Sequence, residues 1–168
     1  VKTKGSIMFD DVKAIYADSY RESLFKDTGL TFRAEKEIGD LVNRGVIGGY
    51  SDGNFGPYQE LTRLQGAILL ARAMNLSTSN VVDPGFKDMP VGTRFYEEVA
   101  AVANAGVIRG KDGGTNFDPN GKLTRAEMAA ILQRGFKLSA GTENYFSDTK
   151  GSFAYDAINS LAENDITM

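Results

Sequence analysis

The chain has no histidine and no cysteine, and both absences narrow what it can do. Without histidine it lacks the commonest general base and the commonest metal ligand, which counts against enzymatic chemistry. Without cysteine there is neither a disulfide framework nor a thiolate site, and the redox compartment stays open. No apolar run approaches the roughly 18 residues that a membrane helix needs. A basic excess is missing too: the net charge is -3 and the pI is near 5.1, which argues against nucleic acid as the main partner. The start of the chain shows no cleavable-looking signal, so the sequence is either cytoplasmic or a mature or excised piece. What remains, 168 residues of which 42% are hydrophobic and 24% charged, suits one compact soluble domain with a sizeable core.

Repetition organises the chain. Phe25-Lys26-Asp27, Phe86-Lys87-Asp88 and Phe146-Ser147-Asp148 open three units, spaced by 61 and 60 positions. An amphipathic run follows each opening: Ile38, Leu41 and Val42, then Val99, Val102 and Ala103, then Ile158, Leu161 and Ala162. The i, i+3, i+4 spacing predicts a helix with one buried stripe in every unit. Tyr96 and Tyr155 stand at matching places three residues before Val99 and Ile158. Gly106 suits the left-handed residue that closes a helix, Gly45 opens the matching turn of the first unit, and Asp165 aligns with Gly106 in the third.

A loop comes next, Asp52-Gly53-Asn54-Phe55-Gly56-Pro57 in one unit and Asp112 to Pro119 in the other. Its Gly, Asp, Asn and Pro are turn chemistry, and its single Phe reads as a plug into the core. A second helix then starts at Thr62 or Thr124. Thr124 with Glu127, and Thr62 with Gln65, have the capping-box spacing, in which the hydroxyl accepts from the third helical N–H and the longer side chain reaches back. Leu123 and Met128 have the spacing of a hydrophobic staple, whereas Gly66 takes that place in the first unit. Leu69, Leu70 and Met74 match Ile131, Leu132 and Phe136 along the second helix. Residues 1–24 form a lead-in, with a helix expected over 14–23. The units are read as 25–77, 86–139 and a partial third, 146–168.

This ordered set, Phe-x-Asp, Gly-Val-Ile-x-Gly-Tyr, Asp-Gly-x-Phe-x-Pro and Leu-Thr-Arg-Ala-Glu, resembles the S-layer homology (SLH) domains of bacterial surface proteins. The resemblance covers about residues 25–168. It implies a mainly α fold of helix-loop-helix repeats arranged as a pseudo-threefold, three-lobed domain. It further implies a non-catalytic module at the bacterial cell surface that binds cell wall polysaccharide, often pyruvylated, in grooves between lobes. Other surface-layer chains are possible partners, and neither a cofactor, a metal, nucleic acid nor membrane insertion is expected. The Arg of the Thr-Arg-Ala-Glu motif is a principal anion contact in the family, a role that carries over to Arg125 and Arg63. Thr124, Glu127, Thr62 and Gln65 flank them, and Tyr50, Gly49, Gly110, Asp52 and Asp112 complete the candidate set from the turns. The first unit departs from the motif with Leu64 and Gln65 for Ala and Glu, and the family's frequent Trp has no counterpart here.

Plain chemistry supports the arginine assignment. An Arg in the first turn of a helix sits beside unsatisfied N–H groups, so a ligand carboxylate there meets a guanidinium and backbone donors together. The bland alternative is that Arg63 and Arg125 are solvated or ion-paired, as exposed arginines ordinarily are. Asp52 and Asp112 read first as turn-formers, since neither loop has the Glu at its twelfth position that an EF-hand requires. Tyr50 either lines a groove or caps the core. Glu97-Glu98 and Asp10-Asp11 are neighbours in sequence and read as solvated charges rather than a glycosidase pair. Anchoring, protein assembly and wall hydrolysis are the three function classes, with hydrolysis last because no nucleophile comes with a base. The partial third unit is expected to expose apolar surface, at about 25 cal/mol per Å². More chain past Met168, another chain or residues 1–24 would cover it.

Overall fold

The structure, a computed structural model, describes residues 23–29 and 32–167. Most of the lead-in, with its expected helix, lies outside the described residues. The chain divides into two compact units, residues 1–59 and 60–168. The division falls inside the first sequence repeat, between its two helices. Among the described residues there are five α-helices and no strand beyond two isolated bridges, so the mainly α expectation holds. None of these helices is long and apolar enough to cross a membrane.

In the first unit, α1 (Glu35–Asn43) buries Ile38 and Val42, the stripe that the periodicity marks. Its first turn carries Glu35 and Glu37, which complement the positive end of the helix. Gly45 at φ 69° and the N–H of Val46 donating to Leu41 O at 2.9 Å close it in a Schellman turn. The loop folds back so that Phe55 rests on Phe25, ring centres 5.4 Å apart. Asp27 fixes it by accepting from the N–H groups of Phe55 and Gly56 at 2.7 and 2.8 Å.

The second unit holds α2 (Arg63–Ala73), α3 (Tyr96–Asn104), α4 (Arg125–Phe136) and α5 (Tyr155–Glu163), with a short 3-10 turn at Asp112–Gly114. The second helix of one sequence repeat packs on the first helix of the next: α2 on α3, and α4 on α5. One core gathers Ala67, Leu70, Val99, Val102, Ile108 and Phe117. A smaller one gathers Ala129, Ala130, Ala154, Ala157 and Leu161. Phe117 is fully buried with its ring 5.5 Å from Phe86, and Asp88 accepts from the N–H groups of Phe117 and Asp118 at 2.7 Å each. The plug expected of the loop phenylalanine is therefore in place, clasped as in the first unit. Schellman turns close α3 at Gly106 and α5 at Asp165, where φ is 55°. One apolar match fails at the end of its helix. Phe136 is 54% exposed, whereas its counterpart Met74 packs on the core. Residue 136 is still inside α4 while Met74 already lies past the end of α2, so the two side chains leave different backbones.

Candidate functional site

Both capping boxes form. Thr62 Oγ1 accepts from the Gln65 N–H while Gln65 Oε1 accepts from the Thr62 N–H, at 3.2 and 2.9 Å. Thr124 and Glu127 repeat the exchange at 3.1 and 2.9 Å. The α2 box is seated on the second repeat. The N–H of Arg63 donates to Gly121 O at 2.9 Å, that of Leu64 to Pro119 O at 3.0 Å, and Leu123 N–H to Leu61 O at 3.0 Å. Gly66 permits this approach, because a Cβ there would stand 2.7 Å from Leu123 Cδ1. The position lacking a staple is thus the one where the next repeat's loop sits against the helix.

Arg63 points inward and is only 4% exposed. Its Nε donates to Phe117 O at 2.7 Å, its Nη2 donates to Arg109 O at 2.9 Å, and its guanidinium carbon lies 5.3 Å from the centre of the Phe117 ring. Beside it opens a hollow of about 200 Å³ lined by Arg63, Arg109, Lys111, Glu127, Arg134 and Phe153, among others. Four cationic side chains and one carboxylate therefore face the same space. Glu127 lies 3.8 Å from Arg63 and 3.7 Å from Lys111, and Lys111 is 2.9 Å from Asp118.

Titration behaviour follows from these contacts. Burial pushes the Glu127 carboxyl up, but the N–H and hydroxyl of Thr124 and the charges of Lys111 and Arg63 outweigh it and hold the group below its ordinary range. The Lys111 hydrogen bond lowers Asp118. Burial lowers the Arg134 guanidinium, and the positive charges of Arg109 and Arg63 lower it further. A guanidinium depressed by cationic neighbours in this way marks a place where an added anion is stabilised.

The remaining candidates divide by role. Arg125 is exposed and lines a second, larger hollow of about 580 Å³ between α4 and α5, apart from the Arg63 hollow. Asp52 accepts from the N–H and side-chain amide of Asn54, both at 3.0 Å. Asp112 accepts from the Asn116 amide at 2.9 Å. Both shape their loops, as turn chemistry predicts. Gly49 and Gly110 make room for the opening phenylalanine of their own units: a Cβ on Gly49 would meet Phe25, and one on Gly110 would stand 2.6 Å from Phe86 Cε1. Gly110 also lines the smaller hollow. Tyr50 is 40% exposed with its ring edge against Gly56, in the first unit.

Four residues of the smaller hollow were not singled out by motif: Arg109, Lys111, Arg134 and Phe153. A signal existed for two of them. Lys111 stands where repeat 1 has Tyr50, and Phe153 stands where Arg33 and Arg94 stand in the earlier units, so each is a change of chemistry at a repeated place.

Comparison with known proteins agrees with the repeat grammar. The model of the S-layer homology domain matches residues 25–65 and 85–129. An S-layer protein of Bacillus licheniformis is 32% identical over 148 residues, 86% of this chain and 17% of the relative. The S-layer protein sap of Bacillus anthracis is 40% identical over 101 residues, 60% of the chain and 12% of the relative. An endoglucanase of Bacillus sp. (strain KSM-635) is 34% identical over 116 residues, 67% of the chain and 12% of the relative. The chain thus spans less than a fifth of the length of these relatives. With the family model covering half of its residues, on the same two repeats that the loop plugs and capping boxes delimit, the chain belongs to the S-layer homology domain family.

Proposed function

We propose that the chain is a non-catalytic anchoring module that holds its protein to the bacterial cell wall by binding an acidic polysaccharide. The observation that carries this reading is the convergence of Arg63, Arg109, Lys111 and Arg134 on one hollow whose lining includes a single carboxylate, Glu127. A carboxylate on a sugar, such as a pyruvyl ketal, meets there two guanidinium groups and an ammonium backed by the buried Arg63. Arg63 acts as the floor, holding the carbonyl of Arg109 and so fixing the loop that presents Arg109 and Lys111. Glu127 spaces the cations and offers an acceptor to a sugar hydroxyl. Phe153, 77% exposed at the rim, offers a flat apolar face to a sugar ring.

The names of the relatives fit a module indifferent to its cargo. Two are called S-layer proteins and one an endoglucanase, each similar to this chain over a small part of its length. An anchor serving proteins of different kinds is expected to look like that. Hydrolysis by the module itself draws no support from the hollow, since glycoside cleavage ordinarily uses two facing carboxyl groups.

Calorimetric titration of the chain with purified wall polysaccharide tests the proposal, using the native polymer and the same polymer stripped of its acidic substituents. Binding to the native polymer alone, weakened in about 1 M salt where charges are screened within about 3 Å, is the expected result. Equal binding to both polymers, or none to either, would overturn it.

A further inference from the structure

The loop that carries Phe117 ends in a turn, Asp118-Pro119-Asn120-Gly121, and this turn is the seat of α2. Pro119 O accepts from the Leu64 N–H at 3.0 Å and Gly121 O from the Arg63 N–H at 2.9 Å. The carbonyls on either side of Asn120 thus satisfy two of the N–H groups that a helix start leaves without partners. Asp118 holds a left-handed φ of 61° ahead of a proline, where both its own Cβ and the following ring favour other backbone angles.

Asn120 itself is exposed, and its side-chain amide makes no hydrogen bond among the described residues. The residue after it has no Cβ to shield its nitrogen from that amide. The Gly121 N–H donates to Asp118 O at 3.1 Å, toward the long end for such a bond. Gly121 lies so close under Asp118 that a Cβ there would run into the Asp118 carboxylate, which also accepts from the Gly121 N–H. An acceptor for the Gly121 proton is therefore already in place.

We propose that Asn120 is a site of spontaneous covalent modification, and that one of its products loosens the seat of α2. The Gly121 nitrogen attacks Asn120 Cγ, and the new N–C bond closes a succinimide ring. The bond from Cγ to the side-chain nitrogen breaks, and that nitrogen leaves as ammonia with the proton that Gly121 gave up, passed on by the Asp118 carboxylate or water. Water then opens the ring: attack at the side-chain carbonyl gives aspartate, and attack at the main-chain carbonyl gives isoaspartate. The sum is amide and water to acid and ammonia, with nothing oxidised or reduced. The products act differently on α2. Aspartate adds negative charge near a helix start, which the helix favours. Isoaspartate routes the main chain through the former side chain and lengthens it by a methylene, so Pro119 O and Gly121 O can no longer both meet their donors on α2. The inference does not rest on the polysaccharide reading, which concerns the smaller hollow.

The test is to age the whole folded chain in warm, mildly alkaline buffer beside a cold, mildly acidic control, and to follow it by tryptic peptide mapping and by isoaspartate-specific enzymatic methylation. Lys111 and Lys122 flank residues 112–122, so one peptide carries both Asn120 and Asn116 and the second serves as internal reference. Conversion of amide to acid at Asn120 should run at least about tenfold faster than at Asn116, where the side chain of Phe117 obstructs the attack. Methylation should label the same peptide and vanish in Asn120→Ser. The isoaspartate-bearing fraction should melt at a lower temperature than fresh protein, whereas freshly prepared Asn120→Asp, which has the charge without the longer backbone, should melt at the same temperature or slightly higher. Conversion at Asn120 no faster than at Asn116, or no methylation of that peptide, would overturn the assignment of the site. An isoaspartate form that melts with fresh protein, or an equal drop in Asn120→Asp, would overturn the effect on α2.

Discussion

Arg63 and Arg125 occupy the same place in successive repeats, yet Arg63 is buried and Arg125 is exposed. Arg63 is committed to two carbonyls and a ring, and a guanidinium alone can serve all three because its donors are fixed in a planar fork. Arg63→Lys should therefore lower stability by about 1–3 kcal/mol, read as a drop in melting temperature, since at least one buried carbonyl loses its donor. Arg109→Ala should leave the melting temperature unchanged, because the exposed Arg109 side chain supports no hydrogen bond among the described residues, yet weaken polysaccharide binding about tenfold. Sequence reasoning offered both motif arginines as ligand contacts, with solvated or ion-paired side chains as the alternative. It had no access to the inward turn of Arg63, whose acceptors lie 54 and 46 residues away in the chain. The carboxylates give a pH prediction. Asp27, Asp118, Glu127 and Glu163 are all held below the ordinary range, with backbone N–H groups or cations favouring the charged form. A group whose folded pKa is depressed contributes its stability above the unfolded value and loses it as pH falls through the folded one. Melting temperature should thus be level from neutral pH down to about 5 and fall below about 4, where ordinary carboxylates titrate.

Helix ends show how far local grammar reaches. Both capping boxes were legible in sequence because every partner lies within three residues. Thr124→Ala should cost about 1 kcal/mol in chemical denaturation. The same change also removes a hydrogen bond that steadies Glu127 beside Lys111. The turn that closes α5 was legible by alignment alone: Asp165 stands where Gly106 stands, and it adopts φ 55° as a glycine would. Because a left-handed conformation strains a residue with a Cβ, Asp165→Gly should raise stability by about 0.5–1 kcal/mol. The partner of each helix was not legible. Periodicity marks the apolar stripe of α2 or α4 but does not say that it faces the first helix of the next repeat. The role of Gly66 was hidden for the same reason, since the glycine answers to Leu123, a residue of the following repeat.

At the scale of the molecule, an acidic chain presents a basic hollow. The net charge of -3 is no obstacle to an anionic ligand, because the cations converge at one place and act over distances shorter than the screening length. The hollow is assembled from the start of α2, the loop of the second repeat, α4, and Phe153 of the third repeat. The repeat is consequently the unit of sequence, while the hollow draws on all three repeats together. Co-sedimentation of the chain with isolated cell walls, before and after removal of the wall-linked polysaccharide, is the most direct measurement, with the charge-reversed Arg109→Glu run in parallel. An anchoring module that reads an acidic polymer through this hollow should pellet with intact walls, stay in solution with stripped ones, and lose most of its binding on charge reversal. Pelleting that is indifferent to both stripping and reversal would contradict it.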